Sequence, residues 1–228
     1  MVAGRVSLHY GMVPAQPWPA LERAWLPLLP APRRAAITRL RAALDRNASL
    51  LGIALLAAAL RETGVQLEPG ALLYAARRKP RLRHGPEFSI AHGGGWVGCA
   101  LTDTGRIGFD LEARAAVRAG QLRLLLDAGE RARLARGGLA PADAWVIKEA
   151  VAKAAGLGLA AVARVRLKAR SAVLDGREYR LRRLALAASM SAWLAYDAPR
   201  LRVRLVAHAA SDFGLLPPAP RVRRIRGR

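Results

Sequence analysis

The sequence predicts an α+β fold, for three reasons. Its 228 residues, 24.5 kDa, suit one large domain or two compact halves that share an interface. Hydrophobic residues make up 53% of the chain, which is enough for a sizeable core. Each half also follows the order strand, helix, strands. We therefore expect two similar α/β halves related by a pseudo-twofold, although no convincing sequence repeat links them.

The first half is assigned to residues 1–105. Its expected elements are a strand at 6–13, an irregular Pro-rich segment at 14–32, a helix at 35–61, a basic loop at 77–86, and strands at 87–92 and 96–102. Leucines at helical spacings define the helix. Residues 45–49 are expected to break it in two, with Asn47 or Ser49 as a cap.

The second half is assigned to residues 106–216. Its expected elements are a strand at 106–112, helices at about 121–136 and 141–155, and strands around 162–169, 178–187, 191–196 and 202–208. Gly156 and Gly158 end the second of these helices. Residues 217–228 form a basic tail that we expect to be mobile, since 221–228 holds five arginines and no acidic residue.

Charge and cysteine content restrict the class of protein. The balance of 38 Lys and Arg against 16 Asp and Glu gives a net charge of +22, which favours phosphorylated cofactors, nucleic acids or acidic proteins as partners. The single cysteine, Cys99, excludes an intramolecular disulfide framework and a multi-cysteine zinc site. The start lacks the apolar region of a signal peptide, and the longest apolar run, 50–60, is short for a membrane span. We expect a reduced, cytoplasmic protein without membrane contact.

Two acidic residues alternate along the strand predicted at 106–112. Asp110 and Glu112 share one face of that strand, while Ile107, Phe109 and Leu111 point to the other. Neighbouring carboxylates repel each other unless a cation lies between them, and oxygen ligands of this kind suit Mg²⁺. A strand whose polar face is simply wet would show the same pattern.

A second charged pair lies on the helix predicted at 141–155. Glu149 and Lys153 are four residues apart and hence neighbours on one helix face, with Trp145 one turn before. A surface salt bridge would give the same spacing. Yet the chain holds only four lysines, and two of them, Lys148 and Lys153, flank this glutamate. That concentration favours a specific role.

A third group combines a histidine with a basic loop. His92 ends a predicted strand and precedes three glycines, and the loop that contains Lys79 and Pro80 lies upstream. A histidine in such a place could hold a phosphate together with exposed backbone N–H groups. A structural histidine with satisfied hydrogen bonds is an equally good interpretation.

Taken together, these motifs resemble those of a known family. Ile-Gly-Phe-Asp-Leu-Glu (107–112), followed by Trp-Val-Ile-Lys-Glu-Ala-Val-Ala-Lys (145–153), resembles the paired signature of the 4′-phosphopantetheinyl transferases. Lys79-Pro80, Phe88–His92 and the glycines at 156 and 158 match further motifs of the larger, pseudo-dimeric class that includes the surfactin-synthetase activators. The resemblance covers about residues 33–159. In the basic loop, Arg78 stands where the family usually has Gly.

The resemblance implies a reaction and roles for its residues. Asp110, Glu112 and Glu149 would hold Mg²⁺ against the pyrophosphate of coenzyme A, and Lys153 would neutralise phosphate charge. Glu149 would act as base, directly or through a metal-bound water, when a carrier-protein serine attacks the β-phosphate. The products would be the holo-carrier protein and adenosine 3′,5′-bisphosphate. Positioning and charge neutralisation supply most of the catalysis in such reactions.

The resemblance also implies a set of coenzyme A contacts. The residues concerned are Arg33, Lys79, Pro80, His92, Lys148 and Lys153. The partner would be an acyl or peptidyl carrier protein, typically acidic, so that a basic surface would speed their encounter. The active site would lie between the two halves of one chain, which implies a monomer.

Two other classes of function compete with this interpretation. A nucleic-acid-binding protein would explain the net charge, but aromatic residues make up only 5% of the chain and no binding motif is recognisable. A Mg²⁺-dependent nuclease could use the same acidic residues, although it would more plausibly carry Glu149 and Lys153 on a strand.

Overall fold

The computed structural model describes residues 4–68, 70–75 and 78–214, and its mixture of helices and sheets confirms the predicted α+β class. The helices are α1 (Pro19–Trp25), α2 (Ala31–Thr38), α3 (Ala43–Arg61), α4 (Ala128–Ala135), α5 (Pro141–Ala154) and α6 (Ala210–Gly214). The strands are β1 (Gly4–Met12), β2 (Leu72–Leu73), β3 (Arg81–Leu82), β4 (Glu87–Gly93), β5 (Trp96–Thr102), β6 (Ile107–Ala113), β7 (Arg166–Leu167), β8 (Ser171–Leu174), β9 (Arg177–Arg183), β10 (Met190–Tyr196) and β11 (Leu201–His208).

The strands form two main sheets and one small ribbon. The first sheet has the order β11-β1-β5-β4, and the second has the order β6-β10-β9-β8-β7. Strands β1 and β11 are parallel, whereas the other neighbours within both sheets are antiparallel. The ribbon pairs β2 with β3. Glycines at 94 and 95, both with positive φ, make the tight turn between β4 and β5.

Three hydrophobic clusters stack these elements in layers. Helix α3 packs with α1 on one face of the first sheet. The opposite face of that sheet meets the second sheet in a cluster that includes Leu8, Phe109 and Leu194. Helix α5 covers the other face of the second sheet, where Ala150, Val151 and Tyr179 are buried. The order of layers is therefore helix, sheet, sheet, helix.

The edges of the two sheets meet where β4 runs beside β6, and we call this junction the seam. Ser89 Oγ on β4 accepts a hydrogen bond from the Phe109 backbone N–H on β6 at 3.0 Å. Gly93 is needed nearby, because a Cβ there would lie 2.5 Å from the Leu111 carbonyl oxygen. The seam brings the carboxyl end of β4 next to the acidic residues of β6.

Helix α3 forms the centre of the first layer. Leu50, Leu51, Leu55 and Leu56 are completely buried in it. Its length and composition are also those of a membrane-spanning helix, but its most apolar 18-residue window is 72% buried inside the structure. The central helix of a packed core has these properties.

The Pro-rich segment is where the sequence-based expectation for the first half is wrong. Residues 14–32 hold α1, a 3-10 turn and the start of α2, because each of their prolines in a helix occupies its first turn, where no N–H is needed. The break between helices falls at residues 39–42 and not at 45–49. Asn47 is not a cap: it lies within α3 and donates hydrogen bonds to the Pro14 and Gln16 carbonyls, both at 2.8 Å.

In the second half the strands at 191–196 and 202–208 are confirmed within one residue. The helix expected at 121–136 is shorter, because α4 begins only after Asp127, whose carboxylate caps the Glu130 N–H at 2.8 Å. Residues 162–164 belong to a 3-10 turn, and β8 was not expected. Strand β11 pairs with β1, so the two sheets do not follow the boundary placed at residue 106. The tail at 217–228 lies outside the described residues.

The pairing of β1 with β11 buries two histidines against each other. His9 Nδ1 and His208 Nε2 are 2.9 Å apart, and His9 is only 1% exposed. Glu62 lies 3.3 Å from His9 Nε2 but without hydrogen-bond geometry, and its carboxylate is already paired with Arg204. Burial, with the nearby His208 and Arg204, lowers the pKa of His9 to about 4.

This burial predicts a loss of stability at acidic pH. The pKa of His9 is about 4 in the fold against 6.5 in the unfolded chain. The contribution of neutral His9 to the free energy of unfolding is therefore complete above pH 6.5 and is lost as the pH falls towards 4. The full effect is about 3 kcal/mol. Urea unfolding between pH 4 and 7.5 should show a shallower pH dependence for His9→Gln than for the parent chain. Equal pH dependence in the two proteins would contradict the assignment.

Candidate active site

Strand β6 carries the acidic residues expected at its centre. Ile107, Phe109 and Leu111 are buried in the cluster between the sheets, as the alternation predicts. The opposite face is not wet: Asp110 is only 4% exposed, because α5 lies across it. The interpretation of this strand as one with an ordinary solvated polar face is therefore wrong for Asp110.

Helix α5 approaches this face of β6 because residue 108 has no side chain. A Cβ on Gly108 would lie 1.9 Å from the Ala150 carbonyl oxygen and 2.4 Å from the Ala154 nitrogen. The helix backbone therefore rests directly on the strand. Glu149 and Lys153 directly precede these two alanines and are one helical turn apart, so both side chains lie close to β6.

Glu149 and Lys153 complete a group with Asp110 and Glu112, which we call the carboxylate cluster. Lys153 Nζ donates a hydrogen bond to Asp110 Oδ1 at 2.6 Å and lies 3.9 Å from Glu149 Oε2. Glu112 Oε1 accepts a hydrogen bond from the Ala113 N–H at 2.7 Å. The structure thus brings Asp110, Glu149 and Lys153 into contact range, whereas Glu112 is close enough to act on the two other acids only through its charge.

The electrostatics of the cluster are dominated by burial and mutual repulsion. Burial, and then the charges of Asp110 and Glu112, raises the pKa of Glu149 to about 7, although Lys153 opposes the shift. The pKa of Asp110 is also raised, first by burial and then by Glu112, against the opposing effect of Lys153. One ammonium group is too little positive charge for one buried and two half-buried carboxylates, so the cluster favours a further cation.

Two side chains that the sequence reasoning missed hold α5 in place. Asp143, in the first turn of α5, accepts hydrogen bonds from Ser191 Oγ at 2.5 Å and Trp193 Nε1 at 3.0 Å. At the other end, Arg106 donates to the Ala155 carbonyl at 3.2 Å. An acidic residue in the first turn after Pro141 was the available signal for Asp143.

His92 and Arg33 lie on the N-terminal side of the cluster. His92 is the penultimate residue of β4, at the seam, and is exposed. Partial burial and the nearby charges of Lys153 and Arg33 lower its pKa, while Asp45 and Glu112 oppose the shift. The Arg33 guanidinium lies 5.5 Å from the centre of the Tyr74 ring.

Lys79 and Pro80 belong to the loop between β2 and β3. The Lys79 ammonium donates to Glu87 Oε1 at 2.5 Å and to the Ile107 carbonyl at 2.7 Å, so that it ties this loop to the start of β6. Burial lowers its pKa, although Glu87 opposes the shift. Pro80 directly follows it and precedes β3.

A cavity of about 500 Å³ separates this loop from the C-terminal end of α5. Arg78 spans it and donates to the Gly156 carbonyl at 3.4 Å. Tyr74 Oη, in the lining, and the Nε of Arg33, whose guanidinium lies over the Tyr74 ring, are buried without hydrogen-bond partners among the described residues. The lining residues are Leu73, Tyr74, Ala75, Arg78, Lys79, Arg81, Glu87, Ala155 and Gly156.

Lys148 lies apart from the cluster. Its side chain is 1% exposed and forms an ion pair with Glu130 of α4 at 2.9 Å, and it also contacts the Val165 carbonyl. Glu130 in turn accepts the Leu167 N–H at 2.7 Å. Lys148 was expected among the coenzyme A contacts, but the structure turns it towards α4, where it joins three segments of the second half.

The carboxylate cluster does not form a complete metal site as it stands. Over residues 4–68, 70–75 and 78–214, no three His, Cys, Asp or Glu side chains converge closely enough to form a metal-binding group. The Lys153 ammonium lies where a cation joining Asp110 and Glu149 would lie. The residue types of the cluster, three carboxylates, are nevertheless the oxygen donors that Mg²⁺ prefers.

No protein-family model matches the chain, and no curated protein matches it.

The contact at Gly108 predicts a large effect of one methyl group. Gly108→Ala would push α5 off β6 and cost about 3 kcal/mol or more in unfolding free energy, because the methyl would overlap the helix backbone. Gly120→Ala is the matched control, since a Cβ there has no atom within 4 Å. Thermal unfolding of both variants measures the difference. A Gly108→Ala protein as stable as the control would contradict this packing.

The buried ion pair of Lys148 predicts that its substitution lowers the free energy of unfolding. Lys148→Met leaves the Glu130 carboxylate buried without its partner, which should cost about 3–5 kcal/mol in urea unfolding. The double variant with Glu130→Gln removes the stranded charge and should recover part of the loss. If Lys148→Met unfolded like the parent chain, the ion pair would have no structural role.

Proposed function

We propose that this protein is a Mg²⁺-dependent 4′-phosphopantetheinyl transferase of the larger, pseudo-dimeric class. It would transfer phosphopantetheine from coenzyme A to a serine of an acyl or peptidyl carrier protein. The observation that carries the proposal is the carboxylate cluster: the two motifs of the resemblance, distant in sequence, place Asp110, Glu149 and Lys153 in contact range at the seam. An ordinary surface salt bridge would not be buried in this way.

The proposed metal site consists of Asp110, Glu112 and Glu149. Mg²⁺ held there would supply positive charge next to the pyrophosphate of coenzyme A. Asp110 is the most deeply buried of the three, so it would fix the position of the site, while Glu112 from the strand and Glu149 from the helix would supply the other oxygens.

Lys153 and Glu149 have distinct proposed roles. Lys153 would turn from Asp110 towards the phosphates and neutralise the charge that develops on them. Glu149 would accept the proton of the attacking serine hydroxyl. The serine oxygen forms a bond to the β-phosphorus, and the bond from that phosphorus to the bridging oxygen breaks. The electron pair leaves with adenosine 3′,5′-bisphosphate.

The 500 Å³ cavity is the proposed site of the nucleotide. Lys79, Arg78 and Arg81 line it with positive charge, and Arg33 adds a guanidinium whose Nε lacks a partner among the residues described. Such unpaired buried donors are costly unless a ligand satisfies them. The charges of Lys153 and Arg33 both lower the pKa of His92, so His92 would be near enough to both for a contact with the pyrophosphate.

The pseudo-twofold relation of two halves, the monomeric state and the cytoplasmic location belong to the proposal. The net charge of +22 fits an acidic carrier protein as the partner, because opposite charges steer encounters of this kind. The position of Glu149 and Lys153 on a helix also favours the transferase over the nuclease alternative, which would be expected to place them on a strand.

The decisive experiment is the intact mass of apo-carrier proteins after incubation with this protein, coenzyme A and Mg²⁺. We expect a gain of one phosphopantetheine group, release of adenosine 3′,5′-bisphosphate, and loss of both on adding EDTA. The proposal would be wrong if no carrier protein gained the group and coenzyme A showed no measurable binding.

Two substitutions test the roles proposed for Glu149 and Lys153. Glu149→Gln should reduce transfer at least a hundredfold because it removes both a carboxylate ligand and the base. Lys153→Arg should lose much of the activity, since a planar guanidinium does not replace a compact ammonium group. Lys168→Arg is the matched control, because Lys168 also pairs with a carboxylate, Glu178, but at an exposed site. Equal activity of the two arginine variants would remove Lys153 from the mechanism.

A further inference from the structure

A larger cavity lies on the first sheet, away from the carboxylate cluster. Its volume is about 780 Å³, within the range of pockets that hold small molecules. Its walls come from β1, β5, β11, the end of α3 and the loop before β4. Neither β6 nor α5 contributes to it, so it is separate from the proposed active site.

The cavity exists because α3 is too short to cover the whole sheet. The helix ends at Arg61, and the chain turns away through Thr63 and Val65. Beyond that end, the floor of the cavity includes Ser7 of β1, which is half-buried, and its register partner Leu101 of β5, which is buried. The walls on either side include apolar side chains.

Two arginines on adjacent strands face this cavity side by side. Arg5 of β1 and Arg202 of β11 are partners in the parallel register, so they point to the same face of the sheet. Like charges in neighbouring strands repel and destabilise the pair. The register therefore makes a counter-charge in the cavity favourable.

The carboxylates nearby do not fully supply that counter-charge. Glu62 is taken by Arg204, the third arginine of the lining. Asp103 accepts hydrogen bonds from Thr104 and from the Arg5 backbone, and it is exposed.

Within residues 4–68, 70–75 and 78–214, neither the Arg5 nor the Arg202 guanidinium has a carboxylate at ion-pair distance, and both side chains are exposed. The carbonyls at the end of α3 accept from Thr63, Gly64 and Val65, so they add little negative charge. Two guanidinium groups thus remain to hold an anion.

We propose that this cavity binds a phosphate monoester that carries a small apolar group. Guanidinium forks match phosphate oxygens, and two free cations match a dianion. The apolar part would pack against Val65, Pro86 and Leu101. The proposal does not depend on the transferase function.

Isothermal titration calorimetry with phenyl phosphate at pH 7.5 and low salt tests the proposal. We expect saturable binding that weakens at least tenfold in Arg5→Gln/Arg202→Gln. Arg183→Gln should bind like the parent chain, because it removes an exposed strand arginine of the second sheet, outside the cavity. Inorganic phosphate should bind at least fivefold more weakly than phenyl phosphate, since it lacks the apolar group.

Three results would overturn the proposal. One is absence of saturable binding to the parent chain, and another is equal affinity for inorganic and phenyl phosphate. The third is binding that Lys153→Ala abolishes while Arg5→Gln/Arg202→Gln leaves it intact, because the phosphate would then lie at the carboxylate cluster. Thermal unfolding of each variant establishes that it is folded. Failure here leaves the transfer assay unaffected, so the two proposals fail separately.

Discussion

The direct contact of α5 with β6 at Gly108 determines the geometry of the whole second half. With no side chain at that position, the backbone of the helix lies on the strand, and Asp110 is buried although it is acidic. A buried carboxylate requires a partner, and α5 supplies it in Lys153. Glu149 lies one helical turn before Lys153, and the close packing of α5 on β6 therefore places it near Asp110 as well. The position and the electrostatics of the carboxylate cluster therefore depend on the absence of a side chain at Gly108.

Helix geometry separates the two lysines that flank Glu149. Successive residues turn by about 100° around a helix, so positions four apart share a face whereas positions five apart diverge by about 140°. Lys153 consequently points with Glu149 to β6, while Lys148 points to α4 and pairs with Glu130. Both lysines are rare residues of an arginine-rich chain, and both are held by carboxylates, but only one of them lies at the site. The scarcity of lysine indicated specific roles without distinguishing a structural role from a catalytic one.

What the sequence predicted well was encoded in local patterns. The alternation along β6 identified which residues face the core, and the spacing of Glu149 and Lys153 identified a shared helix face. What it did not predict depends on long-range contacts. The parallel pairing of β11 with β1 joins strands almost two hundred residues apart, and no local pattern specifies it. The burial of Asn47 likewise depends on carbonyls of residues 14 and 16, which only the fold brings within reach.

The seam explains why residues from both halves of the chain lie in one region of the structure. The Ser89 hydroxyl on β4 joins the edges of β4 and β6 through hydrogen bonds with the Phe109 backbone, and Lys79 joins the preceding loop to the start of β6. The wall of the 500 Å³ cavity and the carboxylate cluster are thus parts of one hydrogen-bonded frame. A ligand that spanned the two would contact elements on each side of the seam, and its binding free energy would add to the stability of that junction. Binding and stability would then be linked through the seam, even though its hydrogen bonds are few.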